Sequence, residues 1–443
     1  MAKISVLEEL AQADGSELIP VVKGGRTRRM VMSALALAMV PFLQAYYKGD
    51  KGNPGAAGNV AYGIPQLKSR PVTEGDVWQL NAGKRSGTFR VREASFVPPA
   101  SDPYQGLYIR ADNGLWFERH VKFGMYSLDW WQPSNAGDSQ QIVTSTIDAL
   151  LPSGATLMWG SNIVRVKSVN GIRANTIFTK PITVIGNGPD NSRLELFRQG
   201  APGSVATEYQ LGTDGLLQFR AGNVTVRDMG FFGEIINQNS NDAACVDFYS
   251  QLDVPFKNVL VEGCRFENCA TAVLTRGTGR PNPGDSPTTV GQGAEGFFNP
   301  VTNVVVRNNE MFIVKYALLC FATNGATFQN NTVRPHPGSV HEYPTAHGWR
   351  TSVRVCGVKG FKMLDNDVEM PVYDLQYITT TMIKLDNMSY GPGYRCYNST
   401  VQVHNNRYRG GGAMYEFANY RLLNASGNIW EADPTADVKR PVI

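Results

Sequence analysis

Alternating carboxylates in the run FKMLDNDVE give the first chemistry to consider. They are Asp365, Asp367 and Glu369. In an extended strand Asp367 and Glu369 fall on one side and Val368 on the other, and two residues of strand advance about 6.6–6.8 Å. Inverting glycoside hydrolysis uses an acid and a base carboxyl about 6.5–9.5 Å apart, and retaining hydrolysis a closer pair at about 5–5.5 Å. Glu267 and Glu310 are a second candidate pair, contributed by different segments. Acid–base catalysis on a sugar is therefore the chemistry these spacings permit. The segment RPHPGSVHEYPTAHGWR gathers His336, His341, Glu342, Tyr343, Trp349 and Arg350. Aromatic faces stack on sugar rings, and Arg or His binds acidic sugars. A lyase would draw its base and its cation from the same set. The histidines are not a zinc motif, because the helical HExxH face cannot form in a stretch broken by Pro and Gly. No metal and no cofactor is expected, since nucleophile elbow, phosphate loop and dinucleotide fingerprint all lack a supporting element.

Such side chains need a rigid support, and a repeat supplies it. Related segments begin at Ile182, Val224, Val259, Val304, Ala326, Phe361 and Val401. The shortest step, from Val304 to Ala326, is long enough for one minimal coil of a β-solenoid. Longer steps are one coil with an insertion, or nearly two coils. The first and third positions are apolar (Val259 and Val261, Val304 and Val306, Val401 and Val403), so alternation turns them inward. The fifth position is Asx or Gly at Asp228, Gly263, Asn308, Asn330, Asp365 and Asn405, residues that tolerate a left-handed corner. Asn309, Asn331, Asn366 and Asn406 occupy the sixth position and can bond along the axis as a ladder. Apolar residues return at the eighth: Phe231, Phe266, Met311, Val333, Val368 and Tyr408. The fold expected is all-β, a right-handed single-stranded parallel β-helix. Equivalent positions then stack about 4.8 Å apart, and Arg265 beside Glu310, or Glu262 beside Arg307, reads as an ion pair between coils.

Composition agrees with a long solenoid. The chain has 443 residues, 42% hydrophobic and 18% charged, with a net charge of +4. That charge is too small for an extended nucleic-acid surface. The six cysteines form no CxxC pair, which reads as buried free thiols and folding in a reducing cytoplasm. The opening MAKISVLEEL lacks the order of a signal peptide, and the apolar run from Met30 to Leu43 is too short to span a bilayer. It reads as a helix buried at a subunit contact.

Five regions follow. Residues 1–47 hold a short amphipathic stretch, a turn and strand (DGSELIPVV), a basic turn (KGGRTRR) and the apolar run. Residues 48–59 carry Gly49, Gly52, Gly55 and Gly58 at a period of three, which is a flexible linker or, if collagen-like, a device that demands three chains. Residues 60–137 read as a small β-rich module with a hairpin around the DNG turn at 112–114. The body spans 138–430 and opens with an amphipathic helix, DSQQIVTSTIDALL, that covers the exposed end of the solenoid. Residues 431–443 form a tail.

The stretches DGSELIPVVKGGRTRRM, GTFRVREASFVPPASDPYQGLYIRADNGLWFERHV and DSQQIVTSTIDALLPSGATLMWGSNIVRVKS, together with the repeat, resemble a bacteriophage tailspike or tail-fibre protein with a pectate-lyase-like β-helix body. The resemblance implies a homotrimer in the virion, assembled in the host cytoplasm. Its N-terminal region would attach to a phage tail or baseplate protein. Its body would bind a host surface polysaccharide (capsule, exopolysaccharide or O-antigen) and depolymerise it, as a glycoside hydrolase rather than a lyase. Neither nucleic acid nor membrane insertion is implied. The alternatives are a non-enzymatic fibre or adaptor that binds receptor or carries another spike, and a free bacterial polysaccharide lyase.

Overall fold

A computed structural model of the chain describes residues 18–23, 26–31, 59–132, 146–168, 176–198, 216–233, 244–250, 255–277, 300–335, 349–370, 379–386, 388–389, 395–396, 400–410, 413–417 and 423–432. Two compact units divide it, Met1–Val60 and Ala61–Ile443. In the first, strands Leu18–Lys23 and Arg26–Val31 pair antiparallel, with Leu18 opposite Val31 and Lys23 opposite Arg26. Arg26–Arg29, expected in a turn, and Met30 and Val31, expected in a helix, are thus strand residues. Ile19, Val21, Val22, Thr27 and Val31 are β-branched residues, which favour strand over helix. The Gly-x-y stretch 48–58 and the rest of the apolar run lie outside the described residues. Among those described, no helix is long and apolar enough to cross a membrane.

The second unit contains the parallel β-helix that the repeat predicts. Each coil has three strand faces. The first face carries Ile182–Gly186, Val224–Arg227, Phe256–Glu262 and Val301–Arg307, all parallel and in the expected register: Val224 pairs with Val259 and Val259 with Val304. Every long step is one coil plus an insertion, because consecutive segments pair directly. The face extends beyond the sequence repeat at both ends. Ala155–Gly160 pairs above Ile182–Gly186, and Leu423–Ser426 pairs below Val401–His404.

Inward positions of the first face are apolar, and Val226, Val261, Val306, Phe328, Met363 and Val403 are fully buried. Aromatic rings stack along the axis where coils repeat them. The centroids of Phe231 and Phe266 are 5.0 Å apart, and those of Phe219 and Phe248 are 5.4 Å apart. This is the offset arrangement that the ring quadrupole favours.

The corner between the first and second faces follows the sequence reading closely. Asp228, Asn308, Asn330, Asp365 and Asn405 all have φ between 52° and 56°, and Gly263 has φ 65°. A Cβ on Gly263 would lie 2.5 Å from Asp228 Oδ1, so a side chain there would have to displace that carboxylate. Behind the corner the ladder is continuous. Asn309 Nδ2 donates to Asn331 Oδ1 (2.9 Å), Asn331 to Asn366 (3.0 Å) and Asn366 to Asn406 (2.8 Å). It runs one rung further than expected, from Asn406 to Asn428 (2.9 Å). A second left-handed column, at Asn223, Asn258, Asn303, Gly325, Gly360 and Thr400, precedes the first face. Its asparagines also bond coil to coil, Asn258 to Asn223 and Asn303 to Asn258.

The expectation that all cysteines are free is corrected at one pair. Cys245 and Cys269 form a disulfide with Cα atoms 6.4 Å apart. They stand 24 residues apart in sequence, but strands Ala244–Tyr249 and Arg265–Arg276 are adjacent on the third face. A solenoid brings such residues together without any short spacing to announce it. The inference of a reducing compartment loses its basis. Cys264 and Cys320 are free thiols, and both, like Cys356, are buried.

The small module is an antiparallel sheet of Val77–Leu80, Gly87–Val91, Trp116–Arg119 and Tyr108–Arg110. The hairpin around residues 112–114 is present, with Ile109 opposite Phe117. Its core is Trp78, Leu80, Phe89, Val91, Ile109 and Phe117. Arg119 ties this sheet down. It donates to the carbonyls of Gly106 (2.6 Å), Ser86 (3.0 Å) and Arg85 (2.9 Å), and its guanidinium lies 4.5 Å from the ring centroids of Phe89 and Trp130. The next strand, Met125–Ser127, already belongs to the solenoid, because it pairs parallel with Ala155–Gly160. The described part of the capping segment, residues 146–150, is helical. Ile147, Leu150 and Leu151 plug the core. Thr179 donates to Asp148, and Lys180 Nζ donates to the carbonyls of Asp148 (2.8 Å) and Leu151 (2.9 Å), which fastens the plug to the first coil.

Candidate functional site

The second face positions the carboxylates. Its strands start just after the left-handed corner; Gly230–Phe232, Thr332–Pro335, Asp367–Glu369 and Arg407–Gly410 are short, whereas Arg265–Arg276 and Glu310–Gln329 run on beyond the face. Two outward columns run down it. One contains Arg265, Glu310, Thr332, Asp367 and Arg407; the other contains Glu267, Phe312, Arg334 and, after one more rung, Glu369 and Arg409.

Asp367 and Glu369 stand side by side on one strand with buried Val368 between them. They share two arginines. Arg409 Nη2 is 3.1 Å from Asp367 Oδ1 and 3.5 Å from Glu369 Oε2. Arg334, from the rung above, hydrogen-bonds Asp367 Oδ2 and lies 3.6 Å from Glu369 Oε2. Asp367 is the more tightly held anion, and Glu369 is touched only at ion-pair distance. The carboxylates remain accessible, with side-chain exposures of 37% and 44%. Arg409 Nε is buried and has no hydrogen-bond partner among the described residues.

The other candidates are placed apart. Asp365 is the left-handed corner residue and accepts from Gln329 Nε2 at 3.4 Å, so it does not share the Asp367–Glu369 face. Glu267 and Glu310 lie on adjacent coils but are offset: Glu267 is level with Phe312, and Glu310 with Arg265. The expected Arg265–Glu310 ion pair does not form. Arg265 instead bonds Glu267 Oε2 (3.1 Å) and approaches Asp190 (3.6 Å), because a neighbour two residues along the strand competes well with one across coils. The Glu262–Arg307 pair forms at 2.8 Å, and Arg227 joins it at 2.6 Å. His336, His341, Glu342 and Tyr343 lie outside the described residues, as does the insertion 279–299. Trp349 and Arg350 open the strand Trp349–Leu364 on the third face, in register with Thr379 and Thr380.

Sequence reading missed the two arginines. Both stand at the ninth position of the repeat, one beyond the last position read, where the column alternates Arg334, Glu369, Arg409. No group of metal-ligating side chains occurs among the described residues.

No protein-family model and no curated protein matches the chain. Among solved structures it is similar to the enzymatically active domain of tailspike protein 2 of bacteriophage CBA120, at 12% identity and a TM-score of 0.44, over 88% of this chain and 55% of that one. The tailspike of Acinetobacter phage vb_AbaP_AS12 matches at 11% identity and a TM-score of 0.44, over 85% and 65%. A glycan biofilm modifying enzyme of Pantoea stewartii with a tailspike-like parallel β-helix fold matches at 12% identity and a TM-score of 0.32, over 86% and 50%. The chain thus spans about half to two thirds of the length of these three.

Proposed function

We propose that this chain is a phage tailspike whose β-helix binds a bacterial surface polysaccharide and cleaves it by inverting hydrolysis, with Asp367 and Glu369 as the carboxyl pair. The observation that carries the reading is that pair: two accessible carboxylates, one strand step of two residues apart, in unlike surroundings. Asp367, bonded by Arg334 and Arg409, is the base that activates water. Glu369, held more loosely, is the acid that protonates the leaving oxygen. The proposal includes a homotrimer and attachment to the phage tail through the N-terminal region. A binding-only spike or fibre is the second reading. It is favoured by the match of two guanidiniums to two carboxylates, which is also how a purely structural ion cluster balances its charge.

Incubation of the full-length protein with purified capsules and lipopolysaccharides, followed by product analysis, tests both. Saturated oligosaccharides whose new reducing ends have inverted configuration support hydrolysis, provided Asp367→Asn and Glu369→Gln abolish them. Unsaturated uronates would move the reaction to a lyase and remove the pair from it. Polymer that is bound but stays intact leaves the binding-only spike.

A further inference from the structure

A cavity of about 560 Å³ opens between the small antiparallel sheet and the plugged end of the coil stack, several rungs from the Asp367–Glu369 cluster. No motif in the sequence pointed to it. Arg90, Arg92, Glu118 and His120 come from the sheet, Tyr126 from the first rung, and Lys180 from the turn before Ile182–Gly186.

Its charge is unbalanced. Arg90, Arg92, Arg119 and Lys180 face one carboxylate, Glu118. Arg119 and Lys180 already spend their hydrogen bonds on backbone carbonyls, so they contribute field rather than contacts. Arg92 is different. Its Nη1 lies 3.4 Å from Glu118, while its Nε is buried and without a partner among the described residues. The exposed Arg90 makes no ion pair among the described residues. Burial, reinforced by Glu118, pushes the Tyr108 hydroxyl up to about 12, which keeps it a donor. Leu107, Val121 and Leu151 complete the lining with apolar surface.

We propose that this cavity binds a carboxylate-bearing sugar. The carboxylate meets Arg92 and Arg90, Glu118 accepts from ring hydroxyls, and the ring face lies on Tyr126 and the apolar floor. The volume is in the range of about 300–1,000 Å³ typical of small-ligand sites. A bare inorganic anion would leave the aromatic and apolar wall unused, and a polyphosphate would meet the Glu118 carboxylate. The site stands independently of the cleavage reading, because it holds an acidic sugar whether or not the coil face cuts polymer.

Calorimetric titration of the full-length protein with sodium glucuronate tests this, with glucose and acetate as the neutral and the ring-free controls. Saturable binding of glucuronate is expected, weakened by added salt, with both controls much weaker. Loss of a charge-assisted contact weakens binding by about tenfold or more, so Arg90→Glu and Arg92→Gln should each do so. Lys257→Gln, at an exposed position of the coil stack, should leave it unchanged. Arg90 is exposed, so its substitution preserves the fold, and circular dichroism checks that. Absence of saturable glucuronate binding, equal binding of glucose or acetate, or parental affinity in both arginine variants would overturn the proposal.

Discussion

The corner asparagines and the outer carboxylates lie on the same coils a few residues apart, yet they solve opposite problems. Asn309, Asn331, Asn366 and Asn406 are buried, and each is both donor and acceptor. Identical side chains in successive coils therefore satisfy one another without any change of sequence. On the outer face a carboxylate cannot bond its own copy. The column has to alternate sign, and the Arg334–Glu369–Arg409 series does. The ladder is repetitive because it holds structure, and the outer face is irregular because it meets whatever lies outside. Substitutions that separate stability from activity will test this contrast.

The largest effect is expected on the outer face. Acid–base groups contribute about 10²–10⁴-fold to rate, so Asp367→Asn or Glu369→Gln should lower depolymerisation by that factor. Both side chains are accessible and exposed pairs stabilise little, so the thermal midpoint should move by no more than about 2–4 °C. A midpoint fall well beyond that, with unaltered cleavage, would make the cluster structural. Asn366→Ala should behave in the opposite way. It removes donors to Phe328 O (3.0 Å) and Asn406 Oδ1 (2.8 Å), and it strands the Asn331 amide that bonds Asn366 Oδ1. Buried groups left unmatched cost about 1–3 kcal/mol each. Urea denaturation should therefore show a loss of about 3–5 kcal/mol, with cleavage per folded molecule unchanged.

Glu262 sits between the two cases. It is bonded by Arg227 and Arg307 on neighbouring coils, and its side chain is 12% exposed. Glu262→Gln should cost about 1 kcal/mol, and the difference from the parent should shrink as salt is raised. A cost equal to that of Asn366→Ala would mean that alternating charge holds the coils as firmly as the ladder does.

Much of this fold was legible because a solenoid writes its tertiary structure as a column of residue types. Apolar first, third and eighth positions marked the inward face, and Asx or Gly at the fifth marked the left-handed corner between the first and second faces from Asp228 to Asn405. The second left-handed column lies just outside the repeated segments, where Asn or Gly precedes five of the six. The site was less legible. Which residue Arg265 bonds, and which arginines hold Asp367, depends on competition between neighbours along a strand and across coils. The cavity depends on how the sheet meets the plug, a contact between regions with no common period. The disulfide depends on the same long-range adjacency.

The smallest expected effect bears on where the ladder stops. Cys264 occupies the ladder position one coil before Asn309, and its backbone amide donates to Asn309 Oδ1 at 2.9 Å. Its thiol already plays a weak version of the asparagine role. It lies 3.8 Å from Val226 O, as Asn309 Nδ2 lies 3.2 Å from Val261 O, and it takes a hydrogen bond from the Met229 backbone. Burial is the main reason that its thiol is pushed up to about 12 from 9.0. Because the folded value is raised, this contribution to stability is complete below pH 9. It is lost as pH rises from 9 towards 12, where the unfolded chain ionises first. Cys264→Asn should lengthen the ladder by one rung. Its amide can donate to Val226 O and Asn309 Oδ1 while accepting from Met229 N. Denaturation at neutral pH should then place it within about 1 kcal/mol of the parent, and the alkaline slope due to this thiol should vanish. Cys264→Ala should be worse than Cys264→Asn, because it leaves the Met229 amide without an acceptor. The reverse order would mean that the ladder ends at Asn309 for lack of room, and that the corner discriminates by size before it discriminates by hydrogen bonding.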